Sequence, residues 1–373
     1  MKIICEKEKA LRAIGMAQIA ITSKTLPVLS HLLISTKEDK VEVVSTNLET
    51  TVKAFFEATV EEEGSICLPG GKFYSILREL PSGEFHLEAD GGKCFIKKEG
   101  ILFTLLTMPV EDFPEIPSAA ATILSLSQDT LRKILIKTMF SASQDEVRPN
   151  LNSVLLEGSP QEEDKEKSLL SAVATDGRRL SYLKVISPSS CKPFKVLLPL
   201  RAARQLVKIL EGEEEIKIGV EGSRVFFVAS GFSFFSQLIE AKFPDYKGVI
   251  PTEYSIIFEV GKSEFTSAIK RVSLLSEEQS RLVKLHLEKE TLDISSSSAG
   301  LGSACEKIPV KRVKSYEDME IGFNALYLLE ALRVIEGETI QVRLIGQESP
   351  GIFTSEKDRD YLYILMPVKL REE

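Results

Sequence analysis

The feature that most constrains the fold of this chain is an internal triplication. An amphipathic segment with apolar residues at helical spacing occurs at 72–84, recurs at 201–214 and recurs again at 325–338. The period is nearly constant and amounts to about a third of the 373 residues. Because solenoid arrays have much shorter periods, the pattern predicts three whole domains rather than stacked repeats.

Each third contains a second helical pattern and a similar series of strands. The second pattern comes first in each third, and its apolar cores lie at 11–21, 131–139 and 265–275. The middle segments end at glycines that suit a helix C-terminus, namely Gly83, Gly212 and Gly337. Alternating apolar and polar residues then predict half-buried strands at 85–88, 216–219 and 340–343. The expected fold class is α+β, with two helices packed on about eight antiparallel strands in each third.

Phe-Pro elements mark the ends of the first two thirds. They occur at Phe113-Pro114 and Phe243-Pro244, and small or turn-forming residues follow both. The third repeat ends with Met366-Pro367-Val368, which matches Met108-Pro109-Val110 in the first. We expect domains at 1–121, 122–252 and 253–373. The charged segment 161–167 is expected to be a solvated hairpin loop.

The composition is that of a globular protein with little basic excess. The net charge is −8, which argues mildly against nucleic-acid binding unless the basic residues are clustered. The five cysteines form no CxxC pair, which favours free thiols in a reducing compartment. Acidic and basic residues at 6–9 interrupt any signal sequence, and no apolar stretch has membrane-spanning length. We expect a cytoplasmic protein without membrane contact.

Catalytic chemistry finds little support in the sequence. The three histidines, His31, His86 and His286, lie in different thirds. A metal site or an acid–base pair needs partners that converge. We therefore expect no catalytic residues, no metal and no cofactor. An enzyme on a triplicated scaffold remains the alternative from another class, and it would require such a convergent set.

The most distinctive polar motif spans Thr175-Asp176-Gly177-Arg178-Arg179-Leu180. Asp-Gly by itself predicts a hairpin turn. A turn alone does not account for a threonine and two arginines at the same place, so we expect a polar, partly basic rim there.

These residues, taken in order, resemble the bacterial DNA polymerase III beta subunit, the replicative sliding clamp. The resemblance covers essentially the whole chain. It is carried by Leu26-Pro27-Val28-Leu29, Gln144-Asp145, Val147-Arg148, Ala174 to Leu180, Phe243-Pro244-Asp245-Tyr246, Met319 to Asn324 and Met366-Pro367-Val368-Lys369-Leu370.

The resemblance implies a ring of two subunits joined head to tail. Strands would form the outer surface and helices would line the hole. The implied homodimer interface pairs Phe103 and Leu105 in the first domain with Leu274 and Leu275 in the third. For each of these four residues, an ordinary core position is an equally good interpretation.

The ring also implies how an acidic protein can hold double-stranded DNA. A ring binds by topology, so basic residues are needed only on its lining, where phosphate contacts carry no sequence information. The implied DNA-binding residues are Lys24, Lys72, Arg78, Arg132, Lys137, Gln144, Arg148, Arg201 and Arg204. Basic residues also recur on the helical segments at Arg12, Lys133, Lys208, Lys270, Arg271 and Arg333.

The resemblance further implies a pocket between the second and third domains for short peptides of partner proteins. The partners would be the clamp loader, the DNA polymerase III alpha subunit and other proteins with a clamp-binding motif. The matching positions are Leu151, Thr175, Gly177, Arg178, Arg179, Leu180, Pro244, Val249, Tyr327, Met366, Pro367, Val368, Lys369 and Leu370. Apolar walls would desolvate the peptide's anchor residues. A monomeric peptide-binding adaptor that does not bind DNA would share this pocket but would lack the basic lining.

Overall fold

The computed structural model describes residues 1–21, 26–315 and 317–370. Within these residues the chain forms six α-helices, two in each third. They are α1 (Lys7–Ala17), α2 (Gly70–Glu79), α3 (Gln128–Met139), α4 (Leu200–Val207), α5 (Lys262–Val272) and α6 (Ala325–Val334).

Strands make up most of the remaining described structure. The first third contains β1 (Lys2–Glu6), β2 (His31–Lys37), β3 (Lys40–Thr46), β4 (Thr50–Glu57), β5 (Thr59–Glu62), β6 (Ser65–Pro69), β7 (Glu84–Asp90), β8 (Lys93–Lys98) and β9 (Ile101–Leu106). The second contains β10 (Leu124–Ser127), β11 (Ser153–Pro160), β12 (Ser168–Thr175), β13 (Arg179–Ser187), β14 (Phe194–Pro199), β15 (Glu215–Glu221), β16 (Arg224–Val228) and β17 (Phe232–Gln237). The third contains β18 (Ile256–Gly261), β19 (Leu282–Glu288), β20 (Thr291–Ser298), β21 (Gly302–Pro309), β22 (Lys311–Lys314), β23 (Met319–Asn324), β24 (Thr339–Leu344), β25 (Gly351–Thr354) and β26 (Tyr361–Leu365).

The strands pair antiparallel in four sheets, and two of these sheets cross from one third to the next. In the eight-stranded sheet, β17 of the second third pairs with β4 of the first, placing Ser236 opposite Thr50. In the nine-stranded sheet, β26 of the third pairs with β13 of the second, placing Leu365 opposite Arg179. The expected α+β class, with paired helices packed on antiparallel sheet, is confirmed.

The helices pair within each third because each has one apolar stripe. In α1 the stripe consists of Ala10, Ala13, Ile14 and Ala17, all buried. The small side chains of this stripe allow α1 to pack closely on both α2 and the sheet. The equivalent pairs are α3 with α4 and α5 with α6. Among the described helices, none is long and apolar enough to cross a membrane.

The prediction that the middle helices end at glycines was wrong by several residues. The helix α2 ends at Glu79, followed by Leu80 in an extended conformation, as expected for a residue that precedes proline. Gly83 instead adopts φ +97° in the turn that leads into β7. Its carbonyl accepts a hydrogen bond from the Lys7 amide at the start of α1. The turn therefore satisfies a free amide of the first helix rather than capping the second.

Candidate functional site

A cavity of about 540 Å³ lies where the second and third domains meet. Its lining includes the predicted residues Leu151, Thr175, Gly177, Arg178, Arg179, Leu180, Pro244, Val249 and Met366. It also includes residues that were not assigned to the pocket from the sequence, namely Asp245, Tyr246, Gly248, Pro251, Pro350 and Ile364. The sequence signal for Asp245 and Tyr246 was their position directly after Phe243-Pro244. Pro350 and Ile364 carried no such signal because they reach the cavity through sheet pairing.

The pairing of β13 with β26 builds the floor of this cavity. It sets Leu180 opposite Ile364, and both side chains are almost completely buried. They belong to an apolar cluster that also holds Leu155, Val173 and Phe243 on the same face of the sheet. The cavity is therefore open at the surface and apolar at its base, the arrangement of a site for aliphatic or aromatic anchors.

One wall of the cavity is fixed by a hydrogen bond between a phenol and a carboxylate. The Tyr246 hydroxyl donates to Glu157 Oε2 over 2.6 Å. Burial, together with this bond, raises the pKa of Tyr246 above its ordinary value. Burial acts to raise the pKa of Glu157 as well, but hydrogen bonds from Lys195 and Tyr246 outweigh it and leave that pKa lowered. Glu157 thus accepts from both as a carboxylate and holds the tyrosine in place.

The other wall is the turn between β12 and β13. Thr175 Oγ1 donates to the Arg179 carbonyl and accepts from the Gly177 amide. Asp176 Oδ1 accepts from the amides of Arg178 and Arg179. Gly177 lies at φ +88°, a conformation that glycine adopts without a steric penalty. The Thr-Asp-Gly sequence is therefore what shapes this side of the mouth.

Arg179 is a buried strut rather than a rim donor. Its guanidinium binds Asp176 Oδ2 at 3.0 Å, the carbonyl of Phe140 at 2.8 Å and the carboxylate of Glu330. It also stacks 4.1 Å above the ring centre of Tyr327. Burial disfavours its charge, but Tyr363, Glu330 and Asp176 outweigh burial and raise its pKa. Since Glu330 and Tyr327 are on α6, Arg179 ties the second domain to the third.

Five predicted pocket residues lie outside the lining of this cavity. Tyr327 faces the neighbouring polar groove beneath Arg179. The other four, Pro367, Val368, Lys369 and Leu370, follow Met366 along β23. The Val368 amide donates to the Gly322 carbonyl over 2.8 Å, and Leu370 packs against Gly322. This pairing draws the chain end away from the cavity floor.

Most of the predicted DNA-binding residues have exposed side chains. These are Lys72, Arg78, Arg132, Gln144, Arg148, Arg201 and Arg204. Arg204 donates to Gln144 Oε1 over 2.7 Å, which joins α4 to the loop after α3. Lys24 lies outside the described residues.

Lys137 requires a correction, because it is not available to a phosphate. Its side chain is buried, and its Nζ lies 2.5 Å from Asp358 Oδ2 and 3.0 Å from Glu336 Oε1. Both partners belong to the third domain. A buried ammonium needs such compensation, so Lys137 serves the junction between the domains and not the DNA.

The four predicted interface residues lie on an edge strand and in a 3₁₀ turn. Phe103 and Leu105 are on β9, an edge strand, where Phe103 is exposed and Leu105 is half-buried. Leu274 and Leu275 lie in the 3₁₀ turn that follows α5, and Leu274 is 76% exposed. Among the residues that the structure describes, no group of three or more histidine, cysteine or acidic side chains could hold a metal ion.

Comparison with known proteins gives one consistent result along the chain. Models of the DNA polymerase III beta subunit match residues 1–117 (N-terminal domain), 125–245 (central domain) and 247–369 (C-terminal domain). The beta sliding clamp of Proteus mirabilis is 30% identical over 378 residues, covering 99% of this chain and 100% of that protein. The DNA polymerase III subunit beta of Pseudomonas aeruginosa superposes with a TM-score of 0.93 at 27% identity, covering 99% of this chain and 100% of its own. The sliding clamp of Bacillus subtilis superposes with a TM-score of 0.93 at 26% identity, with full coverage of both chains.

Proposed function

This chain belongs to the DNA polymerase III beta subunit family, and on that premise we propose that two copies of it close into a ring around duplex DNA. Its function is that of a sliding clamp, a processivity factor for DNA polymerase. The ring proposal rests on a pattern of sheet pairing. The chain uses this pattern at its two internal junctions, and the equivalent strands at its two ends have no such partner in the same chain.

The rule is that the last strand of one third pairs with the strand that ends the first series of three hairpin-connected strands in the preceding third. At the first junction β17 pairs with β4, and at the second β26 pairs with β13. Two equivalent strands are left over. They are β9, the last strand of the first third, and β21, which ends the first hairpin series of the third. Each lies at the end of its sheet, and its outer edge has no partner strand among the described residues. Pairing β21 of one copy with β9 of the next would extend both sheets and remove both free edges.

The exposed apolar residue beside β21 fits the same rule. Ile19 and Leu274 hold equivalent positions in the 3₁₀ turns after α1 and α5. Ile19 packs into the core of the second domain, and its carbonyl accepts from Gln205 of α4. Leu274 has no such neighbour among the described residues and is largely exposed. A partner's first domain would cover it, and the rotation that relates successive thirds would then close the ring after six domains.

Double-stranded DNA would pass through the ring without sequence recognition. The exposed basic residues of the described helices and of the loop after α3 supply phosphate contacts, since backbone contacts position a protein without reading bases. Sliding requires that each contact be weak, which suits single exposed side chains. The net charge of −8 is compatible with this arrangement because closure of the ring, not overall attraction, retains the DNA.

The cavity at the second junction is the proposed docking site for partner proteins. Its apolar floor and its basic side chain Arg178 suit a short peptide with aliphatic or aromatic anchors and an acidic neighbour. Partners of this kind would include the clamp loader and the polymerase alpha subunit. In this account the chain is a non-catalytic accessory subunit that acts in the cytoplasm.

The ring can be tested with an engineered disulfide. Ser233 pairs with Lys53 at the first junction. By position within their hairpins, Leu102 corresponds to Ser233 and Cys305 to Lys53. Leu102→Cys should therefore place a thiol opposite the partner's Cys305, within disulfide reach. Oxidation with copper–phenanthroline should give a covalent dimer on a non-reducing gel.

The matched control is Phe103→Cys. Neighbouring residues of a strand point to opposite faces, so this thiol should face away from Cys305 and cross-link far less. Equal cross-linking of the two variants, or none in either, would refute the proposed pairing of β9 with β21.

The pocket can be tested with Met366→Ala. Met366 is 45% exposed at the cavity mouth, so its truncation removes apolar contact area from a bound peptide without opening the core. Peptide affinity should fall about tenfold, as for loss of a contact worth about 1.4 kcal/mol. Fluorescence anisotropy with a labelled clamp-binding peptide measures this loss, and analytical ultracentrifugation measures the dimer. A variant that loses the dimer, or that keeps full peptide affinity, would contradict this placement.

A further inference from the structure

The turn that shapes the proposed peptide pocket occurs a second time, at the junction of the first and second domains. Thr46 Oγ1 donates to the Thr50 carbonyl and accepts from the Leu48 amide. Asn47 Oδ1 accepts from the amides of Glu49 and Thr50. These four hydrogen bonds match, position for position, those made by Thr175 and Asp176 at the second junction.

The strands beside this turn also match. The amide of Gln237 donates to the Glu49 carbonyl over 2.8 Å, as the amide of Met366 donates to Arg178 over 2.8 Å. Thr51 lies opposite Phe235, as Leu180 lies opposite Ile364. On the same face of the first domain lies a small apolar cluster. It contains Leu33, Val44, Cys67 and Phe113, the positional equivalents of Leu155, Val173, Leu197 and Phe243.

A cavity of about 200 Å³ is present at this second copy of the site. Its apolar surface comes from Leu48, Pro114, Pro117 and Phe235. The volume suits one aliphatic anchor side chain, whereas the 540 Å³ cavity has room for several.

Leu48 is the residue that departs most from the copy at the second junction. It occupies the position of Gly177 at φ +75°, a backbone conformation that is costly for a leucine, and its side chain is 55% exposed. Strain of this kind clusters at binding sites, where it is part of the function, and it is accounted for if Leu48 meets a partner.

The rim of this cavity is net negative, whereas the peptide pocket carries Arg178 and Asp245 at its mouth. Glu49 stands where Arg178 stands at the second junction, and Glu115 follows Pro114 on the same rim. Arg224 also lines the cavity, so the balance is one negative charge. In the part of the chain that the structure describes, neither glutamate forms a salt bridge.

We propose that the cavity at the first junction is a second docking site, which takes a segment of a partner protein with one aliphatic anchor flanked by lysine or arginine. The two junctions would then sort partners by charge, since like charges at a rim disfavour the wrong segment. The proposal uses the peptide pocket as its geometric counterpart, but it does not require that pocket to be occupied.

The test uses the full-length dimer with its leucine methyl groups labelled with ¹³C. Two synthetic octapeptides share a two-leucine centre; one is flanked by lysines and the other by glutamates. The lysine peptide should shift the Leu48 methyl signals. The Glu49→Lys/Glu115→Lys variant should weaken that binding roughly five- to tenfold, since it replaces two weak attractive charge contacts with repulsive ones. The variant Glu162→Lys/Glu163→Lys makes the same charge change in the exposed 161–167 loop and should bind like the wild type.

Two results would overturn the second site. One is the absence of any Leu48 shift with the lysine peptide, and the other is unchanged affinity in the Glu49→Lys/Glu115→Lys variant. The methyl signals of Leu180 report separately on the peptide pocket. If the lysine peptide shifts Leu48 but the glutamate peptide does not shift Leu180, the result would count against the peptide pocket and would support the second site.

Discussion

Arg179 illustrates at the residue scale how a motif can be recognised while the role of its members is misjudged. The sequence placed two arginines together at a polar rim, and they have different environments. Arg178 is exposed at the cavity mouth, whereas Arg179 is buried among Asp176, Glu330 and the ring of Tyr327. The partners of Arg179 lie up to 151 positions away along the chain, so no local pattern could have revealed them.

We predict that Arg179→Ala destabilises the protein by about 3 kcal/mol, because its removal leaves the partly buried carboxylates of Asp176 and Glu330 uncompensated. The urea midpoint, followed by circular dichroism, measures the change. Arg178→Ala is the matched control and should stay within about 0.5 kcal/mol, as exposed substitutions do. Similar midpoints for the two variants would show that Arg179 is not a strut.

At the scale of elements, the two internal junctions share their sheet pairing and differ in what lies beneath it. At the second junction the Nζ of Lys137 on α3 reaches Asp358 and Glu336, and it lies 5.5 Å from the ring centre of Tyr361. At the first junction α1 carries Met16 in the equivalent place, and a cavity of about 490 Å³ opens beside it. The second junction therefore contains a buried ion pair at a position where the first has a methionine and an adjoining cavity.

A double-mutant cycle should expose this ion pair. Lys137→Met alone should cost about 3–5 kcal/mol because it strands the Asp358 carboxylate. Lys137→Met combined with Asp358→Asn should cost clearly less than the sum of the two single changes, with a coupling of about 1.5 kcal/mol or more. Urea midpoints measure all of these, and exposed Lys133→Met serves as the control. Additive costs would mean that the two side chains do not support each other.

The elements also show how far sequence patterns reach. Periodicity found all six described helices, because a 3.6-residue apolar stripe is a local property. The match of Met366-Pro367-Val368 to Met108-Pro109-Val110 was wrong by two residues. Met366 corresponds in pairing to Leu106, and Val368 corresponds to Met108. The Val368 amide donates to the Gly322 carbonyl, and the Met108 amide donates to the carbonyl of Cys67 on the equivalent strand. Similar residues in the two segments indicated a repeat, but the backbone hydrogen bonds determine how the two segments align.

The candidate site could be predicted where residues close in sequence form it. It could not be predicted where residues distant in sequence are brought together by sheet pairing. The 175–180 turn could be read directly from Thr-Asp-Gly. Ile364 and Pro350 line the cavity because strands from two domains meet there. Lys137 looked like a solvated helix residue, and only tertiary packing shows its acidic partners.

At the scale of the whole molecule, one pairing rule accounts for both the continuous sheets and the proposed ring. The chain uses the rule at two junctions and presents free edges at β9 and β21. A molecule built this way has a strong reason to bind a second copy, since exposed edges otherwise promote aggregation. Retention on DNA then follows from closure, and the helix faces need only weak, non-specific contacts.

The most direct test of encirclement uses the Leu102→Cys dimer without any loading protein. Subunits are diluted, reassembled in the presence of a nicked circular plasmid or its linear form, oxidised to lock both interfaces, and denatured in detergent. Encirclement predicts that protein stays linked to the circle and is released when the plasmid is then cut once. Equal loss from circular and linear DNA after locking would contradict a topological link and would favour a peptide-binding adaptor that does not enclose DNA.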